Sequence, residues 1–597
     1  PFHFGQHFVI LFLTRPRMAP LSSIALLLFA YLVTASTSVC RCVFGDPCWP
    51  SEEDFAHLAS QVSQPLLHPL PSGSPCYPPS DPSGNCTAVI QESTDGNWRA
   101  NQSGTMQFSN FETYIFPNNT ISACYLNTTI GGPCEQGSVP IIGVDARTID
   151  DIQSAISFAA LHNLRLVVKN TGHDLSGRST TRGSFLVWTH HLKNITFHDS
   201  FQPSGAPRTE TFDNAITLGA GVQWHEAPSS RWRRVRGGSV GAAGGWLLSG
   251  GHSELSPQYG LGVDNVLEIA MVTSTGDYLI ANAHQHPDLF WALRGGGGGT
   301  YGIVTSVTYR THPSLPLIGA YFIASVNSTQ PTPALQAVLT EHFRLIPNLS
   351  DAGWSGGLSV FPDPTTGNLE MAMVYAFLAN SSWAQANESI EPFFSFARNL
   401  ASSSENSPDA LTIELATTLP FDSYFSWYNR TFAAIPSESG MNQALGSWLL
   451  PRDVITDDYE KIAETLVHIR GLNYLLCAGG AVSRVDPAST GLNPAWRKAL
   501  VHTIFTVAWP DGSPATVIEE LEAGIAQNMT ALRALAPDSG AYFNEASLVE
   551  PNPAYTFFGD HYDTLKLIKK KYDPLDLFVV TGGVGSDEWD AQLVCRR

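Results

Sequence analysis

A chain of 597 residues is too long for one hydrophobic core and calls for two or three domains. With 43% hydrophobic residues the composition is that of a folded globular protein and not of a disordered one. The formal charge of −20, from 53 acidic against 33 basic residues, argues against nucleic acid or an anionic membrane surface as a partner and for a soluble acidic protein.

Residues 1–17 precede Met18 and read as upstream sequence. Leu21 to Val33 is an apolar run followed by the small residues Thr34, Ala35, Ser36, Thr37 and Ser38, the pattern of a signal peptide over 18–35. It is too short to span a bilayer, so no membrane anchor is expected. Glycosylation sequons headed by Asn85, Asn101, Asn118, Asn127, Asn194, Asn327, Asn348, Asn380, Asn387, Asn429 and Asn528 agree with a secreted, extracellular protein. Seven of the nine cysteines, Cys40, Cys42, Cys48, Cys76, Cys86, Cys124 and Cys134, fall early and predict a disulfide-stapled segment in an oxidising compartment. Their pairing is open, and with Cys477 and Cys595 counted, one thiol is left unpaired or pairs between molecules. None shows zinc-ligand spacing, so no metal is expected.

Residues 36–138 are rich in Pro, Gly, Ser, Asn and Cys and read as a loop-rich cap. At Val139 the pattern changes. Pro140 to Val144 is a strand; Thr148 caps a helix with acidic Asp150 and Asp151 in its first turn and a buried stripe of Ile152, Ile156, Ala159 and Ala160. A second strand, Leu164 to Lys169, runs into the loop Asn170-Thr171-Gly172-His173-Asp174-Leu175-Ser176-Gly177, whose free N–H groups suit a pyrophosphate. Further strands are expected at Ser184 to Thr189, Ala215 to Val222, Val266 to Thr273 and Tyr278 to Ala281, the last two joined by a Ser-Thr-Gly-Asp turn, with a short helix at Pro287 to Arg294. Pro313 and Pro316 mark a boundary. Beyond it, strands (Ala320 to Val326, Leu369 to Phe377) alternate with amphipathic helices (Pro333 to Leu345, Trp383 to Leu400, Val517 to Leu535), which predicts a second α+β domain. Trp354, Phe361, Phe421, Phe425 and Trp427 lie in it as candidates for an apolar or sugar-stacking site, or for its core.

Three more glycine-rich stretches follow the His173 loop. They are Gly238 to Ser253, whose glycines leave a backbone able to lie flat against a planar ring, Gly260 to Val266, and Gly295 to Thr305. No Gly-Lys-Ser/Thr completes a phosphate loop, and no Gly-x-Gly-x-x-Gly follows a strand as a dinucleotide fold requires. In order and spacing the four stretches resemble the FAD-binding domain (PCMH type) of the vanillyl-alcohol oxidase superfamily, in its berberine-bridge-like branch. The tail adds Ala541-Tyr542-Phe543-Asn544-Glu545, Phe558 to Tyr562 and Lys571 to Pro574. The likeness is strongest to secreted fungal FAD-linked oxidases typified by isoamyl alcohol oxidase.

The resemblance implies an α+β fold with a two-lobed FAD domain at 139–313, completed by a C-terminal return at 541–597, and an α+β substrate domain with an antiparallel sheet at 314–540. It implies FAD joined covalently through His173. Many relatives add a cysteinyl link; Gly237 stands at that place, so none is expected here. The cofactor-binding residues it implies are Asn170, Thr171, Gly172, Asp174, Gly177, Ser239, Val240, Gly241, Gly245, Gly250, Gly251, His252, Val263, Asp264, Val266, Ile303 and Asn544. An imidazole on the flavin raises its reduction potential and keeps it from being lost outside the cell. Tyr542 is the implied base or orienting donor, Glu545 the alternative base, and Val240 the residue that admits dioxygen. The segment Pro228 to Arg236 is shorter and more basic than the family's helix and strand at that point. The expected activity is oxidation of an alcohol with release of hydrogen peroxide by a monomer. The alternatives are a carbohydrate oxidase, a ring-closing oxidase of secondary metabolism, and a glycoprotein that keeps the fold without flavin.

Overall fold

The computed structural model describes residues 40–77, 85–227, 238–378, 382–404, 407, 410–432 and 439–597. The expected signal peptide and what precedes it, the run Pro228 to Arg236, Gly237 and the sequon at Asn380 lie outside the described residues.

The first lobe is built as its sequence pattern dictates. Strand β1 (Ile142–Asp145), helix α1 (Ile149–Leu161) and strand β2 (Leu166–Lys169) form a parallel unit, and β3 (Phe185–Trp188) inserts between the two strands to give the order β1-β3-β2. Thr148 and Asp151 close the start of α1 reciprocally, hydroxyl to amide at 3.1 Å and carboxylate to amide at 2.9 Å. Ile152, Ala155, Ile156 and Ala159 then seal α1 onto Val144, Leu166, Phe185 and Val187.

The second lobe is an antiparallel sheet of β4 (Ile195–Phe201), β5 (Phe212–Gly219), β6 (Val266–Val272), β7 (Tyr278–Ala281) and β8 (Ile303–Arg310), ordered β4-β5-β8-β6-β7. Helix α2 (Pro287–Leu293) precedes the glycine run. The predicted turn between β6 and β7 is present, with Gly276 at φ +83° and the Thr273 amide donating to the Asp277 carbonyl at 3.0 Å.

The region beyond Pro313 centres on a seven-stranded antiparallel sheet: β9 (Leu317–Val326), β10 (Trp354–Pro362), β11 (Leu369–Phe377), β12 (Leu411–Phe421), β13 (Asn442–Pro451), β14 (Leu472–Leu476) and β15 (Ala499–Trp509), in the order β12-β9-β11-β10-β14-β15-β13. Helices α3 (Pro333–Ala352), α4 (Trp383–Ser404), α5 (Arg452–Leu466) and α6 (Ala515–Leu535) complete it, with α3 packed against both α4 and α5. The Ser355 hydroxyl on β10 donates to the Glu254 carbonyl and that of Ser447 on β13 to the Glu545 carbonyl, which fixes the sheet to the loops around Glu254 and Glu545.

The C-terminal segment packs on the first lobe. Leu577 and Phe578 join the core of the first lobe. Helix α7 (Tyr562–Tyr572) carries buried Lys569, which donates to Asp573 at 2.6 Å and to the Thr300 and Phe578 carbonyls. The early cysteines pair as Cys42–Cys48, Cys76–Cys86 and Cys124–Cys134, while Cys40 reaches Cys595 and ties the described start to the end of the chain. The unpaired thiol is Cys477, buried. The described part of the Pro- and Cys-rich segment at 36–138 packs directly on the first lobe, with Leu58 in its core. Leu67 pairs with Gly143, and the Gln107 amide donates to the Gly172 carbonyl at 2.9 Å, so this segment braces the His173 loop from behind.

Candidate functional site

The loop after β2 turns at Gly172, where φ is +80° and a Cβ would lie 3.0 Å from Lys169 Cε and 3.2 Å from the Thr105 carbonyl oxygen; only glycine fits without strain. The turn borders a cavity lined by both lobes and by the C-terminal segment. Of the residues singled out in the sequence, Asn170, Thr171, Gly172, His173, Asp174, Val240, Gly241, Gly245, Ile303, Tyr542, Asn544 and Glu545 line it. His173 Nε2 lies 2.8 Å from Ser239 Oγ, and burial lowers its pKa to about 4, so its imidazole is neutral near pH 7.

The lining fits a flat, polar-edged ring system. A Cβ on Gly298 would stand 3.1 Å from Gly245 Cα, so bare backbone forms the wall there. Asn170 donates to the Ala220 carbonyl, but its Oδ1 is buried without a partner among the described residues, an acceptor waiting for a donor. The Tyr-x-Asn element is clamped to the glycine stretch: Asn544 Nδ2 donates to the Gly245 carbonyl and to Tyr542 Oη, both at 2.8 Å, and Ser249 Oγ donates to Asn544 Oδ1 at 3.0 Å.

Glu545 is the charged centre of the site. Its side chain is 26% exposed, toward the cavity, with Oε1 3.4 Å from His252 Nε2 and Oε2 3.0 Å from His502 Nε2. Burial raises its pKa, but the charge and hydrogen bonds of the two histidines outweigh that and hold it well below the usual carboxylate range. Burial opposes a charge on His252, yet Glu545 and a hydrogen bond with Cys477 raise its pKa well above the ordinary histidine value. His502 is pushed the other way, because burial outweighs its bond to Glu545. Burial, reinforced by the charge of Glu545, raises Tyr542 far enough to keep the phenol protonated.

Several expected contacts are placed elsewhere. Val263 and Val266 are core residues, and Gly177 turns beside the Phe111 ring. Gly250 packs on Leu492, and Gly251 and His252 line a neighbouring cavity that shares Val240 and Trp246 with the first. Ser239 is not among the described lining residues and bonds His173. Asp264, expected at the cofactor, caps the Leu261 amide and is gripped by both Nη atoms of Arg497 at 2.8 Å, with both side chains buried. Arg497→Ala is therefore expected to lower unfolding free energy by about 3–5 kcal/mol by stranding a buried carboxylate; an unchanged urea midpoint would show that the pair is not holding the fold.

The pattern did not point to Arg178, Cys477 or His502. Arg178 stacks over the Phe543 ring at 3.5 Å, donates to the Phe543 and Thr581 carbonyls at 2.9 Å, and keeps its charge although burial lowers its pKa to about 10. His502 lies inside an apolar strand, where periodicity signals only core.

Comparison with known families assigns the two halves of this cavity. Residues 140–282 match the FAD binding domain family and residues 541–585 the berberine and berberine-like family. An uncharacterized FAD-linked oxidoreductase of Arthroderma benhamiae is 36% identical over 93% of this chain and 96% of its own length. This chain is a FAD-linked oxidoreductase of the vanillyl-alcohol oxidase and berberine bridge family. The FAD-linked oxidoreductase ZEB1 of Gibberella zeae is 34% identical over 92% of the chain and 93% of its own length. Among solved structures, the VAO-type flavoprotein MtVAO615 of Myceliophthora thermophila superposes with a TM-score of 0.80 at 27% identity, covering 94% of this chain and all of that one. This FAD-linked oxidoreductase thus brings His173 and Val240 from its FAD domain together with Tyr542, Asn544 and Glu545 from its berberine-like tail at one cavity.

Proposed function

We propose that this oxidoreductase is a secreted alcohol oxidase that holds its FAD through His173 and passes the electrons to dioxygen. The observation that carries the reading is Glu545, an ionised carboxylate with an open edge on the cavity beside the Tyr542 phenol. Bound FAD supplies the hydride acceptor, and its reoxidation by dioxygen gives hydrogen peroxide. Glu545 takes the hydroxyl proton of the alcohol as the hydride leaves the adjacent carbon. Tyr542, protonated and clamped by Asn544, serves as a donor that orients the substrate oxygen. Val240, at the junction of the two cavities, leaves room for dioxygen.

An apolar alcohol suits the neighbouring cavity, which is lined by Leu255, Leu378, Tyr424, Tyr428 and Leu475. Of the aromatics considered in the sequence, Trp354 and Trp427 are core residues with no exposed surface, and none of the five lines this cavity. Secretion is supported by the four disulfides; among the described residues no helix is long and apolar enough to cross a membrane.

The test is a panel of primary alcohols from isoamyl to aromatic, with oligosaccharides beside them, read by peroxide release from the purified holoenzyme. Turnover of the alcohols supports the reading. Peroxide from the sugars alone, or from nothing in the panel, overturns it.

A further inference from the structure

The side-chain cluster around Glu545 contains one member that touches neither cavity. His502 stands in the middle of β15, paired with Leu449 and Leu475 of the flanking strands, and its side chain has no exposed surface. Valine or leucine, the residues at 501 and 500, would fill such a position without burying polar nitrogen. Nδ1 of His502 has no partner among the described residues, which is unfavourable for a buried polar atom. What histidine offers there and an aliphatic residue does not is a single hydrogen bond, Nε2 to Glu545 Oε2 at 3.0 Å. Because the acceptor is a carboxylate, Nε2 carries the hydrogen and bare Nδ1 is the lone-pair nitrogen, so the geometry fixes the tautomer.

Resting on the reading of Glu545 as proton acceptor, we propose that His502 is its positioning residue: a neutral imidazole donated by the substrate domain that fixes one carboxylate oxygen so that the other edge faces the alcohol. Three segments distant in sequence meet at that carboxylate. His252 comes from the glycine stretch of the FAD domain, Glu545 from the C-terminal return, and His502 from the substrate sheet, whose Ser447 also binds the Glu545 carbonyl. The titratable groups facing Glu545 are His252, His502 and Tyr542, with Cys477 behind His252. The two imidazoles stand 5.4 Å apart, so the charge on His252 discourages a second one on His502. His502 therefore offers the carboxylate a fixed neutral donor and no proton.

The experiment uses holoenzyme and the alcohol giving the fastest peroxide release in the panel, and follows anaerobic flavin reduction against pH. His502→Phe fills the site without an N–H, and His502→Asn keeps an amide donor. His502→Phe is expected to cut the limiting reduction rate roughly 10- to 100-fold with KM little changed, and to move the acid limb of the profile up by about one pH unit, since Glu545 loses a donor to its charged form. His502→Asn is expected to recover most of both. In a Glu545→Gln background His502→Phe is expected to add no further loss, because the two act as a unit. An unmoved acid limb, or a loss that persists in that background, would overturn the assignment and leave His502 a packing residue. Full reduction by Glu545→Gln alone would instead remove the reading of Glu545 on which it rests.

Discussion

Replacing His173 by alanine is expected to yield an enzyme whose yellow colour stays in the supernatant when the protein is precipitated with acid. Turnover is expected to fall about tenfold or more, an activation difference of roughly 1.4 kcal/mol, because the proposed link would give the flavin an electron-withdrawing substituent. Among the described residues lining the cavity His173 is the one imidazole, and no cysteine accompanies it. Its lowered pKa, about 4, leaves the ring neutral near pH 7, the form with a nucleophilic nitrogen, and Ser239 Oγ at 2.8 Å fixes its orientation. Wild-type colour retained on the peptide containing His173, and colour lost from the variant, would establish the single link. Colour that still precipitates with the His173→Ala protein would place the attachment elsewhere.

The flavin half of this site is legible in the sequence because its constraints are local. A loop that must turn at positive φ writes glycine at 172, and a helix that must close its amides writes Thr148 and Asp151 at capping distance. The limits of that legibility show at Gly262-Val263-Asp264, where the glycine spacing is right but the partner is not. Asp264 is claimed by Arg497, 233 residues away, a pairing no local pattern reveals. The region from 314 to 540 is less legible for the same reason. Gly356-Gly357 and Gly446 lie inside β10 and β13, where a Cβ on Gly356 would stand 2.8 Å from Tyr375 Cα and one on Gly446 2.6 Å from the Phe505 ring; strands distant in sequence require them. Helix α3 runs past its predicted end and through Pro347, because burying Ile346 and Leu349 outweighs the lost hydrogen bond. His502, with apolar neighbours on both sides, looks like core until the fold brings Glu545 to it.

The choice of proton acceptor is settled by comparing Glu545→Gln with Tyr542→Phe. Both lie at the cavity, but their environments push their protons in opposite directions. Glu545 is held ionised by two histidines, whereas Tyr542 is held protonated by burial and by that same carboxylate. Drawing a proton onto Tyr542 first requires losing one against a raised pKa, which adds its full cost to the barrier. Glu545→Gln is accordingly expected to slow flavin reduction by about 10²–10⁴-fold, and Tyr542→Phe by roughly tenfold through one lost hydrogen bond. The pH profile carries the same sign. A depressed carboxylate is charged above its unfolded value near pH 4.3 and is lost only as pH falls through its folded one; the raised His252 stays charged below about 6.5 and is lost only as pH rises through its folded value. Carboxylate and imidazolium therefore coexist across that whole interval, and so does the stability their contact gives the domain junction. Reduction is expected to be level from roughly pH 4.5 to 6.5, with an acid limb below the ordinary carboxylate range. Should Tyr542→Phe prove the slower variant, the phenol would be the base and the carboxylate its support.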